Sequence, residues 1–120
     1  ASTHGLIGSK KKSAYTASKH GLVGLTKVVA LETAEENITC NSICPGFVLT
    51  ELIQDQIETI SKNKNINIKD AEIELLKEKQ PSLSFVNKQN IAALIFYLST
   101  ENASQITGAN LSIDGGWTAQ

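Results

Sequence analysis

Tyr15 and Lys19 stand four residues apart, so on a helix their side chains leave the same face one turn apart. A phenol is a poor base at neutral pH, but an ammonium beside it stabilises the phenolate. A tyrosine tuned in that way passes protons to and from an alcohol oxygen. A bare Y-x-x-x-K is far more often a solvated helix face. Its company here is what makes it specific: Ser2 lies thirteen residues ahead of Tyr15, and a helix rich in small residues follows. N-S-I-C-P-G-F-V-L-T then fills Asn41 to Thr50, and I-T-G-A-N-L-S-I-D-G-G-W fills Ile106 to Trp117.

The elements that must position these groups follow from periodicity and caps. Ser13 to Asn37 carries Leu22, Leu25, Val28, Val29 and Leu31 at helical spacing and is the longest helix. Ala14, Ala17, Ser18, Gly21 and Gly24 give its first half a small-residue face, which predicts close packing against another backbone or a ligand. Ile38 to Cys44 alternates as a short strand and ends at the Pro45-Gly46 turn. Leu52, Ile53, Ile57 and Ile60 predict a second helix, Ser61 to Asn67 a polar connector, and Asp70 the cap of a third helix that runs to Gln80 before Pro81. Asn87 caps a fourth, with Val86 and Ile91 spaced as a hydrophobic staple. Its expected core face is Ile91, Leu94, Ile95 and Leu98. A last strand, Ala109 to Ile113, closes on Asp114-Gly115-Gly116.

The whole is an α/β pattern of 120 residues, one core's worth of chain, with 41% apolar and 19% charged residues. Eleven cations against twelve acids leave a formal charge of −1, which gives no pull toward nucleic acid or anionic lipid. Every cation is a lysine, so the planar grip of a guanidinium on phosphate or guanine is unavailable. Lys10-Lys11-Lys12 reads as a solvated loop. No window is long and apolar enough for a membrane span, and the expected location is cytoplasmic. Cys40 and Cys44 lack metal-ligand spacing and are read as reduced core thiols. No metal is expected. The absence of methionine leaves two readings open, an initiator removed before Ala1 or the tail of a longer chain.

With these motifs the chain resembles the short-chain dehydrogenase/reductase family from Ser2 to its terminus. The resemblance implies the C-terminal half of a Rossmann-like, doubly wound parallel sheet, with residues 1–120 forming a single partial domain. It implies Ser2, Tyr15 and Lys19 as catalytic residues: the serine on the substrate oxygen, the tyrosine as acid/base, and the lysine on both the tyrosine and the nicotinamide ribose. Pro45, Gly46, Val48 and Thr50 fall in the loop that meets the nicotinamide end of the cofactor, expected to be NAD. More narrowly, the chain is similar to members that interconvert 3-hydroxybutyrate and acetoacetate, a step of ketone-body metabolism. In those enzymes the positions of His4, Lys12 and Gln56 hold the substrate carboxylate and that of Trp117 closes the pocket. An imidazole N–H, an ammonium and an amide N–H are the donors an acid group needs.

Nothing in the chain resembles a glycine-rich strand-turn-helix, nor an acid about 20 residues beyond one to hold a ribose. The dinucleotide-binding half is therefore expected to lie outside these residues. A chain standing without it would bind the cofactor poorly and be catalytically crippled. Two other readings stay open: a non-catalytic remnant that keeps the family's subunit contacts, and a sister reductase acting on 3-oxoacyl thioesters or a sugar alcohol. The implied partners are a small carboxylated hydroxy acid and further copies of the chain, in a homo-oligomer such as a tetramer.

Overall fold

In a computed structural model, which describes all 120 residues, the longest element is helix α1, Ser13–Glu32. It ends five residues before the expected Asn37. Thr33 turns both its N–H and its hydroxyl back onto Val29 O, at 3.0 and 2.8 Å, a local bond that competes with continued helix. The inward face is Val23, Thr26 and Ala30, while Leu22, Leu25, Val28 and Leu31 point out, Leu31 at 79% exposure. The apolar spacing is a correct sign of helix, and most of the residues that carry it face outward. Gly21 and Gly24 likewise face open space, with nothing within 4 Å of where a Cβ would stand. Close approach occurs at Gly5 instead, in the 3₁₀ turn Thr3–Gly5, where a Cβ would lie 2.9 Å from Lys19 O.

Strand β1 (Ser42–Pro45) pairs in parallel with β2 (Asn110–Ile113), Ser42 opposite Asn110 and Pro45 opposite Ile113. The expected start at Ile38 is not realised, because side chains replace the ladder there. Cys40 N–H donates to Thr107 Oγ1, and the Asn41 amide bridges Ile106 O and Ala109 N–H at 2.6 and 3.0 Å. Cys44 is fully buried and both cysteines are free thiols.

Two helices, α2 (Glu51–Lys64) and α3 (Ile68–Lys77), follow β1 and pack on each other, with Ile57, Ala71 and Leu76 buried. The expected connector from Ser61 is helical as far as Lys64, where Asn65 adopts the left-handed conformation (φ 52°) that ends helices. The cap of α3 is Asn67, whose Oδ1 accepts the Asp70 N–H at 2.9 Å, and Asp70 instead takes the amide hydrogen of Asn67. Helix α4 (Lys88–Leu98) is capped by Asn87 as expected. Its expected core face is not buried: Ile91, Leu94 and Leu98 are half-covered and Ile95 is 54% exposed, beside exposed Phe96 and Tyr97. Two strands are too few to cover that face. No helix is long and apolar enough to cross a membrane.

Candidate active site

The chain crosses itself where β1 ends. There the turn Thr3–Gly5, the start of α1, the segment after β1, the start of α2, the end of α3, and Trp117 enclose a cavity of about 460 Å³. Ser2, His4, Lys12, Tyr15, Gly46, Val48, Thr50, Gln56 and Trp117 line it. Pro45 and Lys19 do not; Pro45 is held in the strand, and Lys19 stands behind Tyr15 with Nζ 5.2 Å from the ring centre.

Ser2 is buried and caps the 3₁₀ turn, its Oγ accepting the His4 N–H at 3.2 Å. The His4 ring stands edge-on between Tyr15 and Trp117, its centre 5.5 Å from each. Its Nδ1 lies 3.4 Å from Ser2 Oγ, and its Nε2 is enclosed with no hydrogen-bond partner. Burial, then the positive charges of Lys79 and Lys12, hold the His4 pKa below the ordinary histidine value. The imidazole is thus kept neutral, with one N–H to donate.

Trp117 owes its place to Asp114, whose carboxylate accepts Gly116 N–H at 3.1 Å and the Thr118 N–H and hydroxyl at 2.9 and 2.6 Å. Burial works to raise the Asp114 pKa, but these three donors outweigh it and the net shift is downward. Gly115 and Gly116 adopt φ of 58° and 91°, the conformation this reversal requires. The indole packs at 4.8 Å on Phe47, a pairing that adds about 0.5–1.5 kcal/mol beyond its buried area.

Sequence reasoning missed Phe47, Lys79 and Gln80. Gln80 is 1% exposed; its Oε1 accepts the Phe47 N–H at 2.8 Å and its amide donates to Ser84 O. It thereby ties the stem of α3 to the exit of β1. A Cβ on Gly46 would run into that Gln80 oxygen and lie 3.0 Å from Asp114 Cα. Phe47 had a local signal, as the one aromatic in the P-G-F-V-L-T loop. Gln80 and Lys79 had none, because K-E-K-Q reads as the solvated end of a helix.

Chemically, the cavity sets a hydroxyl pair, Ser2 and Tyr15, beside a group of nitrogen donors, His4, Lys12 and Gln56, under an aromatic wall. Such an arrangement suits an alcohol or carbonyl carrying an acid group. A family model described as Enoyl-(Acyl carrier protein) reductase matches residues 1–118. The D-beta-hydroxybutyrate dehydrogenase of Cupriavidus necator is 53% identical over all 120 residues, which cover 46% of that protein. That of Rhizobium meliloti is 49% identical over the same residues, again 46% of its length. Among solved structures, a short chain dehydrogenase family protein from Francisella tularensis superposes with a TM-score of 0.88 at 34% identity, over all of this chain and 49% of its own. A 4-hydroxyisoleucine dehydrogenase complexed with NADH gives 0.83 at 38% identity, over all of this chain and 45% of its own. The chain spans about half the length of the curated relatives it matches.

Proposed function

The chain belongs to the short-chain dehydrogenase/reductase family of oxidoreductases, and on that premise we propose that it is the catalytic and substrate-binding part of an NAD-dependent 3-hydroxybutyrate dehydrogenase. The observation that carries this reading is that Ser2, Tyr15, His4, Lys12, Gln56 and Trp117, scattered over 116 positions from Ser2 to Trp117, share one cavity.

The residues present fit one end of a dinucleotide. Tyr15 is 46% exposed on the cavity rim, with Lys19 behind it, and Gly46, Val48 and Thr50 continue the same wall. These would hold the nicotinamide and its ribose, and the nicotinamide, when bound, supplies the hydride acceptor. For the phosphates the chain offers no cradle: Gly115-Gly116 opens only the single turn Trp117–Ala119.

In the oxidative direction the substrate hydroxyl lies between Ser2 and Tyr15. Tyr15 Oη takes the hydroxyl proton as the C3 hydrogen leaves with its electron pair, and the C3–O bond becomes a carbonyl. Ser2 Oγ accepts from the His4 backbone N–H and turns its own hydrogen to the substrate oxygen. Lys19 holds positive charge against the tyrosine while the proton moves. His4, Lys12 and Gln56 bind the carboxylate, so that C3 is presented in one orientation. The free thiols Cys40 and Cys44 suit a reducing, cytoplasmic setting.

Subunit association is a second reading supported by a specific observation, the outward apolar residues of α1 and α4. It is compatible with catalysis in a homo-oligomer. A 3-oxoacyl thioester substrate fits less well, since it has no use for three carboxylate donors. The test is a chimera in which this chain replaces the matching segment of the Cupriavidus necator relative. NADH formation with 3-hydroxybutyrate, and none with a 3-hydroxyacyl thioester, is expected; the opposite preference overturns the proposal.

A further inference from the structure

The cavity holds a second ammonium to which the reaction above gives no task. Lys79 follows α3, with its N–H on Leu76 O at 3.0 Å and its carbonyl accepting from the Gln120 amide at 3.2 Å. Its Nζ stands 5.4 Å from the centre of the Trp117 ring, and the residue lines the cavity. Lys79 is half-buried whereas Lys12 is exposed, and it has no counter-ion: the ion pairs of the molecule are Lys62–Glu58, Lys64–Glu74 and Lys77–Glu74. Glu78 also borders the cavity but is exposed and bonded to neither lysine. Partial burial of an unpaired ammonium is unfavourable, and the indole face offsets only part of it. His4 touches both the Tyr15 and Trp117 rings at 5.5 Å, and Trp117 in turn carries Lys79 at 5.4 Å. The free charge therefore enters the cavity beside Trp117.

We propose that Lys79 is a specificity-determining residue that binds the carboxylate of the substrate, acting from the α2–α3 side of the cavity. This rests on the cavity being the substrate site, though not on which reaction occurs there. A carboxylate bound on the Trp117 side of the cavity meets the charge of Lys79, and a neutral analogue gains nothing from it.

Trp117 is the sole tryptophan, so its fluorescence reports this site in the full chain with no cofactor and no turnover. Butyrate should perturb it saturably and butyramide should not. Lys79→Gln should weaken butyrate by about tenfold or more, the weight of a charge-assisted hydrogen bond, and Lys79→Arg should stay within about threefold because the charge is kept. Lys79→Met, which keeps the stem on the indole, answers the same question should the glutamine variant lose its circular-dichroism signature. No butyrate response, or one that neither neutral variant weakens, overturns the proposal. If Lys12→Gln weakens butyrate and Lys79→Gln does not, Lys79 falls while the carboxylate site of the proposed dehydrogenase survives. If Lys79 controls butyrate binding but the chimera gives no NADH, the dehydrogenase reading falls and the anion site stands.

Discussion

His4 is held by its neighbours in the charge state its position demands. Its ring is wedged between two aromatic edges, and two lysines repel a proton from it. The folded-state pKa is lowered, so below the ordinary value of 6.5 the unfolded chain binds more protons than the folded one. The contribution to stability is therefore complete above that value and is lost as pH falls through the depressed folded pKa. Thermal unfolding should show the midpoint falling on mild acidification, and His4→Gln should flatten that slope. An unchanged slope in the variant would remove His4 as its source. At this scale the sequence was informative wherever partners are close along the chain. Tyr15 and Lys19 are one helical turn apart, and Ser2 reaches His4 two residues on. Lys79 and Gln80 were illegible because what defines them, Trp117 and Phe47, lies more than thirty residues away.

Among the elements, the α2–α3 pair is clipped by charge as well as by apolar packing. Glu74 of α3 takes hydrogen bonds from Lys64 at the end of α2 and from Lys77, which hold its carboxyl down to about 2. A depressed carboxylate stabilises above its ordinary value of 4.5, and that contribution is lost only as pH falls through about 2. Glu74→Gln should speed amide exchange over Ser61 to Glu78 at neutral pH and low salt, and added salt should erase the difference, since exposed pairs are screened. Equal exchange at low salt would show that apolar packing alone holds the pair. The helices themselves were legible from period and caps, and their ends were less so. Asn67 outcompetes Asp70 as cap because it stands at the residue whose backbone is already extended (ψ 165°). Ser61 to Lys64 reads as polar connector, yet lysines in a last turn favour helix.

As a whole the molecule is open. Its radius of gyration is 16.5 Å, against about 13.6 Å for a compact domain of this length. Its 7837 Å² of accessible surface exceeds the roughly 6,300 Å² expected for its mass. Exposed apolar side chains contribute to it: Leu22, Leu25, Val28 and Leu31 on α1, and Ile95, Phe96 and Tyr97 on α4. Helical period was visible in the sequence, but which side would be covered was not, because covering depends on layers that two strands do not supply. One site survives this openness because the Gln80, Asp114 and Ser2 side chains lock its walls by hydrogen bonds to the backbone. The cofactor wall has no such completion for the phosphates. Calorimetric titration of the 120-residue chain with NAD should accordingly show no micromolar binding, and micromolar affinity would show that these residues suffice for the dinucleotide.

The proton relay at Tyr15 is the claim from which the proposed chemistry follows, and Tyr15→Phe in the chimera tests it most directly. The variant keeps the ring that His4 and Lys19 pack against and removes only the hydroxyl. Turnover of 3-hydroxybutyrate should fall by about a hundredfold to ten-thousandfold, the usual weight of a positioned acid/base, with NADH binding unchanged. Turnover retained within a fewfold of the unsubstituted chimera would contradict the assignment.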